Sequence, residues 1–532
     1  PNTPSRGRFL PFMFKGTSFS TGGYSAEYGQ ALSSALVLDS KDKAESTRTD
    51  IGILSVGGDV AHTQAWDRGS VAGKVQYTNI RPYYGLINQE VDWKKPPESI
   101  EAVSAFRQQV GDGMVKVYGN FNQSRFSMFT HSINNYDVKA LYDLTNNYRY
   151  LNGSYQCSAN KNWNIRSGLS YTFIENLTYV DTDNFHEKES GVHAKVVAEG
   201  SLSDKTELRI GTELIQRRYR YDTDLDATGY NDVGFDEWIL SGFAEADIHL
   251  GDKFVTRPGL RMEYDNLIHK TSVDPRISLA YKVASAGQVS FAYGRFRQSP
   301  KNEWLRVNQE LDPEKAEHFI LNYQFVENNR TLRLETYYKR YSDLVKFSEG
   351  HPGVIYSGGE GYAKGVEVFW RDNRSIRNVD YWISYSYLDT KREYLNFPYP
   401  ATPSFASAHN LSMVYKHFVR ATKCQLGFTY SVTSGRPYND PNTEKFNAGK
   451  TPIYSDLSAN VAYLPRPFLI LYISCTNLLG SDNIFGYEYA ITPDNNGYYN
   501  SRPIRQPASR FLFVGIFITL SKDKSVNQLP SL

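Results

Sequence analysis

The sequence predicts an all-β chain, a 22-stranded antiparallel transmembrane β-barrel with short periplasmic turns and long extracellular loops. Three observations predict it. Segments of period-two alternation, bounded by Gly, Asn, Asp and Pro, recur from Ser34 to Leu520. The links between them alternate in length, short then long, as hairpins do when one end of a sheet faces each side of a membrane. The chain also carries 40 Tyr, 29 Phe and 7 Trp in 532 residues, enough to furnish aromatic girdles at two membrane interfaces.

The predicted strand cores are 34-40, 49-58, 70-79, 100-108, 114-128, 149-159, 163-175, 191-200, 206-220, 237-249 and 254-264. They continue at 274-283, 288-297, 315-326, 331-341, 362-371, 378-388, 409-418, 423-433, 454-463, 467-478 and 510-520. Tight turns follow the even strands: Val110–Gly113, Ser201–Lys205, Leu250–Lys253, Glu327–Arg330 and Leu464–Pro467. Long segments follow the odd ones: 80-99, 129-148, 176-190, 221-236, 298-314, 342-361, 389-408, 434-453 and 479-509. A soluble sandwich would scatter its long loops over both ends. Closure is required because lipid cannot hydrogen-bond an open sheet edge.

Within strands the two faces differ. In "TELRIGTELIQRRY" the row Glu207, Arg209, Gly211, Glu213 opposes Leu208, Ile210, Thr212, Leu214. The charged row suits a wet lumen and the apolar row suits lipid. In "RFLFVGIFITL" the row Leu512, Val514, Ile516, Ile518, Leu520 reads as a lipid face.

Composition excludes other classes. Mean hydropathy is −0.51, and no run of eighteen apolar residues exists, so no transmembrane helix is expected. A formal net charge of +2 gives no reason to expect a nucleic-acid partner. The three cysteines, Cys157, Cys424 and Cys475, fall in predicted strands and do not form a disulfide framework. The opening "PNTPSRGRFL" lacks a signal peptide, so the natural precursor is expected to extend upstream.

A barrel of this bore encloses a lumen that is normally plugged. The chain is expected to divide into 1-33, a remnant of a plug and its connection; 34-520, the barrel; and 521-532, a C-terminal tail. Either most of the plug is missing from this chain, by truncation or proteolysis, or another chain or a folded loop is expected to fill the lumen.

Several pieces, in order, carry a resemblance. "TGGYSAEYGQALSSALVLDSKD" (Thr21–Asp42) is similar to the end of a plug and its passage into a barrel. "LDPEKAEHFILNY" (Leu311–Tyr323) and "GGEGYAKGVEVFW" (Gly358–Trp370) resemble mid-barrel strand openings. "TSGRPY" (Thr433–Tyr438), "YSDLSANVAYL" (Tyr454–Leu464), "CTNLLGSDNIFGY" (Cys475–Tyr487) and "ASRFLFVGIFITL" follow the usual C-terminal order. The chain resembles a TonB-dependent outer-membrane receptor of the Bacteroidetes type, lacking most of the plug and the TonB-contacting segment. The resemblance implies a multi-pass bacterial outer-membrane location, no catalysis, and active uptake of a scarce ligand. Among ligands an iron chelate is slightly favoured. The implied partners are the TonB system acting through the plug, outer-membrane lipid, and a surface lipoprotein or separate plug-like chain. The alternative is a barrel that serves as a structural or assembly platform, its lumen filled by a partner.

Candidate ligand residues come from the loops. Loop 80-99 offers Arg81, Tyr83, Tyr84 and Trp93; loop 298-314 offers Trp304 and Arg306; loop 479-509 offers Tyr487, Tyr489 and Arg502. Aromatics beside arginines suit stacking and charge recognition of a chelate, sugar or cobalamin-like solute; packing at the membrane interface is the competing use. In "YDTDLDATGYND", Asp222, Asp224, Asp226 and Asp232 suggest a Ca2+ site, since hard cations take several oxygens from a turning backbone; a solvated acidic loop is the alternative. His131, His186 and His351 lie in or near long loops and form no ligand-like cluster. No nucleophile–base–acid set stands out.

Overall fold

A computed structural model describes residues 14–87, 89–348 and 353–522. Twenty-two antiparallel strands close into one barrel, each paired with its neighbours in sequence. Numbered along the wall, β1 is Arg48–Leu54, β2 Gly57–Trp66, β3 Gly69–Asn79, β4 Asp92–Val110, β5 Gly113–His131 and β6 Lys139–Ser158. Next come β7 Trp163–Val180, β8 Asp183–Ser203, β9 Thr206–Leu225, β10 Gly229–His249, β11 Phe254–Asp265, β12 Lys270–Lys282, β13 Gly287–Gln298 and β14 Glu314–Glu327. The rest are β15 Arg330–Phe347, β16 Ile355–Asp372, β17 Val379–Glu393, β18 His409–Val419, β19 Cys424–Thr433, β20 Tyr454–Arg466, β21 Leu469–Thr476 and β22 Phe511–Ser521. The seam closes where Gly515 to Ser521 of β22 pair with Leu54 to Arg48 of β1. No sheet edge is left for lipid to satisfy.

Alternation sorts the side chains as the charge pattern predicts. On β7 to β10, Leu169, Tyr171, Val196, Ile210, Leu214 and Leu240 are exposed on the outer wall. Between them Glu213, Glu237, Ser241 and Glu245 are buried toward the lumen. Short turns close the periplasmic end. In the turn after β14, Asn328 and Asn329 take φ of 51° and 61°, the left-handed pair that a two-residue hairpin of right-twisted strands demands.

Three expectations are corrected. Residues 34-40 are not a barrel strand: Ala35–Ser40 pairs with Phe14–Ser20 in a separate two-stranded sheet. Residues 49-58 are not one strand: β1 ends at Leu54, and a strand absent from the sequence reading, β2, begins at Gly57. The two errors offset each other, so the count is preserved. Finally, segments 129-148, 176-190, 221-236 and 342-361 are mostly strand. The β7–β8 link is only Asp181 and Thr182, with Asp181 turning the corner at φ 54°.

The physical reason is length. Strands β4 to β10 run 18 to 21 residues, whereas about 9–11 suffice to cross a bilayer. The hairpins continue into water above the membrane, where both faces are wet and the apolar alternation that marks a strand fades. His351, residues 1–13 and residues 523–532 of the predicted tail lie outside the described residues. The cysteines are free.

Candidate functional site

Between the two strands of the small sheet, Phe14–Ser20 and Ala35–Ser40, Thr21–Ser34 runs inside the lumen against β7 to β15. Its one carboxylate, Glu27, is almost fully buried. It faces Arg166 of β7 at 3.0 Å, Lys195 of β8 at 3.5 Å and Arg209 of β9 at 3.8 Å. Burial pushes the Glu27 carboxyl up, but the Arg166 hydrogen bond and the charges of Lys195, Arg166 and Arg209 outweigh it, and the group is held below the ordinary carboxylate value.

The segment's backbone is held by barrel cations. Arg276 of β12 donates to the carbonyls of Ser25, Tyr28 (2.8 Å) and Tyr24 (3.3 Å). Arg261 of β11 donates to those of Ala26 (3.3 Å) and Glu27 (3.2 Å). His318 of β14 lies 2.9 Å from the Leu32 carbonyl, so its Nε2 carries the proton. Lys339 of β15 donates to Thr21 and, at 3.0 Å, to Ser33.

Barrel carboxylates take the segment's donors. Glu245 of β10 accepts from the Ser25 hydroxyl at 2.7 Å and the Ala26 N–H at 2.9 Å. Gln30 donates to Glu263 at 3.1 Å. Tyr24 packs on Phe296 with ring centroids 4.4 Å apart. Most of the charge taken from water here is matched by a partner, which is the condition for burying it, while Arg276 Nε and His318 Nδ1 are buried without one among the described residues.

Sequence reasoning named none of these holding residues as a site. The row through Arg209 and Glu213 was read as lumenal, but nothing in one strand shows that its partner lies more than a hundred residues earlier.

The predicted ligand residues fall into separate groups around the rim. Arg81, Tyr83 and Tyr84 form a short helix, Arg81–Tyr84, after β3. Tyr83 is buried: its ring lies 4.8 Å from Phe511 and its oxygen accepts the Leu512 N–H at 2.8 Å. It packs against β22, the strand that closes the barrel. Tyr84 stacks on Trp93 at 6.0 Å, and Trp93 meets Phe126 edge-on at 5.9 Å.

Trp304 and Arg306 sit on and just after a second short helix, Asn302–Leu305. Trp304 packs on Phe347, and Arg306 lies 3.8 Å over the Tyr221 ring. Tyr487, Tyr489 and Arg502 lie on a small hairpin, Gly486–Tyr489 with Ser501–Ile504. Arg502 pairs with Glu488 at 2.7 Å and donates to the His131 carbonyl at 3.1 Å. Tyr487 packs on Tyr438 at 4.7 Å. Burial and the Asp440 carboxylate raise the Tyr489 hydroxyl, which stays a donor.

The acidic residues are strung along the β9–β10 hairpin. Asp222 faces Asp232 across the ladder and contacts His186 at 3.1 Å. Asp224 lies opposite Tyr230, and Asp226 accepts from Thr182 at 2.6 Å. Strand geometry spaces same-face neighbours by about 6.6–7 Å, so the turning backbone expected of this segment is replaced by an extended one. Among the described residues no group of three or more His, Cys, Asp or Glu is gathered to hold a metal.

One pocket opens at the extracellular mouth on the lumenal side of β19 and β20. Its volume is about 290 Å³, and it is lined by Thr433, Ser434, Arg436, Thr451, Pro452, Tyr454, Ile484 and Phe485. Tyr454 and Phe485 pack at 5.9 Å. Among the described residues no carboxylate pairs with the Arg436 side chain. Sequence reasoning quoted "TSGRPY" only as a structural motif and so missed Arg436.

Comparison with known proteins accords with this architecture. The family described as TonB dependent receptor-like, beta-barrel matches residues 38–478. No curated protein matches the chain. Among solved structures the fold is similar to the FrpB iron transporter from Neisseria meningitidis (F3-3 variant), with TM-score 0.73 at 11% identity over 96% of this chain and 88% of that one. It is also similar to the copper transporter OprC, with TM-score 0.74 at 10% identity over 96% and 87%. A third is the siderophore receptor PiuA from Acinetobacter baumannii, with TM-score 0.72 at 10% identity over 96% and 87%. At such identities these likenesses establish the fold alone. With a closed 22-stranded barrel, an apolar outer wall and a family match over most of its length, the chain belongs to the TonB-dependent receptor β-barrels of the outer membrane, a family of receptors and transporters and not of enzymes.

Proposed function

We propose that this barrel takes up a scarce iron chelate by TonB-dependent transport, first capturing it in the mouth pocket around Arg436, Tyr454 and Phe485. The observation that supports this reading is the pocket itself: a concave site of about 290 Å³ facing the lumen at its outer end, with an arginine not committed to a carboxylate among the described residues. A guanidinium attracts the negative charge of a ferric chelate, and the aromatic pair offers faces to its organic shell. The Thr433 and Ser434 hydroxyls supply orienting hydrogen bonds, as in most small-molecule sites. Nothing covalent happens to the ligand; work comes from the inner-membrane motor through TonB.

The test is uptake of radiolabelled ferric citrate and ferric enterobactin by a deletion strain carrying the gene. Wild-type protein is expected to restore uptake of at least one chelate in a TonB-dependent manner, and Arg436→Gln with Tyr454→Ala to lose about tenfold in half-saturation, the worth of one charged hydrogen bond. Equal uptake in a strain without TonB, or no change in the double variant, would overturn the reading.

A further inference from the structure

The outer wall carries a second unassigned feature at the upper edge of its apolar belt. The register defines this edge. Phe121 of β5, Arg149 of β6 and Phe173 of β7 lie side by side on one rung, directly above the exposed Leu151 and Tyr171. Phe173 continues to Ser190 of β8, and Ser190 to Arg218 of β9. One rung higher, Glu175, Lys188 and Arg220 are consecutive. All of these side chains stand on the outer wall, where aromatic residues mark the interface between hydrocarbon and headgroups.

The cations here outnumber their partners. Arg149 lies 5.4 Å over Phe173, and among the described residues no carboxylate comes within ion-pair reach of it. Arg218 and Arg220 share one carboxylate, Asp236, at 2.9 and 3.3 Å. Lys188 reaches Glu175 only at 3.9 Å, and Glu175 is already bonded to His186 at 3.0 Å. Lys188 and Arg220 stand directly opposite each other across the ladder, an arrangement of like charges that destabilises a sheet.

Three cations elsewhere on the upper wall have carboxylates of their own: Arg125 with Glu98 at 2.9 Å, Arg295 with Glu317 at 3.0 Å, Lys364 with Asp389 at 3.2 Å. In the β6–β9 sector four cations, Arg149, Lys188, Arg218 and Arg220, have only Glu175 and Asp236 within ion-pair reach among the described residues.

We propose that the sector Arg149, Lys188, Arg218 and Arg220 is a docking surface for the phosphorylated headgroup of an outer-leaflet lipid. The surface is continuous with the lipid-facing wall, so an occupant with acyl chains lies along Leu151, Tyr171 and Val192 while its phosphate meets the cations. Arginine forks suit phosphate oxygens geometrically, and the Phe121 and Phe173 rings flank the sugar or glycerol backbone. The phosphate also relieves the repulsion between Lys188 and Arg220. The surface faces away from the lumen, so this inference stands whether or not the mouth pocket binds a chelate.

The experiment is native mass spectrometry of the detergent-purified full chain titrated with lipid A, with dephosphorylated lipid A as the comparison. Wild type is expected to retain lipid A preferentially. Each cation removed (Arg149→Gln, Lys188→Gln, Arg220→Gln) should weaken retention about fivefold, since a cation near an anionic lipid surface is worth about 1 kcal/mol. Lys282→Gln, at the opposite membrane edge, should change nothing, and the heat-modifiable mobility of each variant reports an intact barrel. Equal retention of the dephosphorylated lipid, or a triple variant that binds lipid A as tightly as wild type, would overturn the proposal. Binding of inorganic phosphate with the same loss in the variants but no preference for lipid A would also overturn it, as a free-anion site.

Discussion

Glu27→Gln isolates the electrostatic part of the lumenal grip. The substitution keeps shape and hydrogen-bonding atoms and removes the charge that faces Arg166, Lys195 and Arg209. Breaking a buried ion pair from one side costs about 3–5 kcal/mol. The lower end applies, because each cation keeps another carboxylate. Arg209 pairs with Glu199 at 2.9 Å and Glu245 at 2.5 Å, Lys195 with Glu213 at 3.6 Å, and Arg166 with Glu199 at 3.8 Å. Arg166 is also partly solvated, which screens its share.

About 3 kcal/mol corresponds to roughly a 150-fold rise in local opening of Thr21–Ser34. Hydrogen-exchange mass spectrometry reads that opening directly from peptides spanning the segment, with barrel strands as internal controls. The pH dependence is part of the prediction. The Glu27 carboxyl is lowered in the folded chain, so its contribution is complete above the unfolded value of about 4.3 and is lost as pH falls through the folded value. The gap between wild type and variant should be full at pH 7 and close in acid. Exchange within about threefold of wild type at pH 7, against the 150-fold expected from a broken buried pair, or a gap that widens in acid, refutes the reasoning.

Three further outcomes test other parts of the molecule. Lys339→Met removes the bonds to the Thr21 and Ser33 carbonyls and should raise exchange at both ends of the segment roughly thirtyfold, for about 2 kcal/mol of charged hydrogen bonding. Leu169→Arg places a charge on the lipid face of β7 and should lower unfolding stability in vesicles by about 2–4 kcal/mol, measured by urea titration. A Cβ built on Gly259 lies 3.3 Å from the Ala26 Cβ and 3.2 Å from the Glu245 Cβ, so Ala26→Cys with Gly259→Cys should oxidise to a disulfide once the segment gives by a few tenths of an ångström. Non-reducing peptide mapping checks the link.

The parts of the fold that were legible in the sequence were those with a strictly local cause. The Asn328–Asn329 turn follows from two residues that tolerate positive φ, and β22 from eleven residues of apolar alternation. What failed was pairing. Alternation marks Ala35–Ser40 as a strand but cannot say that its partner is Phe14–Ser20 and not the barrel wall. The strand β2, "GGDVAHTQAW", opens on two glycines and mixes polar residues into both faces, so only those glycines fell within a predicted strand and the rest showed no strand signal. The upper hairpins were read as loops because strands standing in water lose their apolar face. Ligand residues were sought by type, aromatic beside arginine, and that pattern describes Tyr83 as well as Arg436. Only contacts made in three dimensions show that Tyr83 packs against β22 while Arg436 borders a cavity.

The same contacts divide the barrel into unequal arcs. The hydrogen bonds and ion pairs of Thr21–Ser34 go to β7 to β15, and its apolar packing reaches Ala363 of β16 and Leu388 of β17. Moving this segment would take its backbone carbonyls from Arg261, Arg276, His318 and Lys339 at once, at the cost of each of those hydrogen bonds. The mouth pocket instead lies over β19 and β20, with its further wall in the β21–β22 loop. The mouth pocket and the lumenal grip therefore occupy different sectors of the wall. A rearrangement confined to the wall beneath the pocket would leave the contacts that hold Glu27 in place.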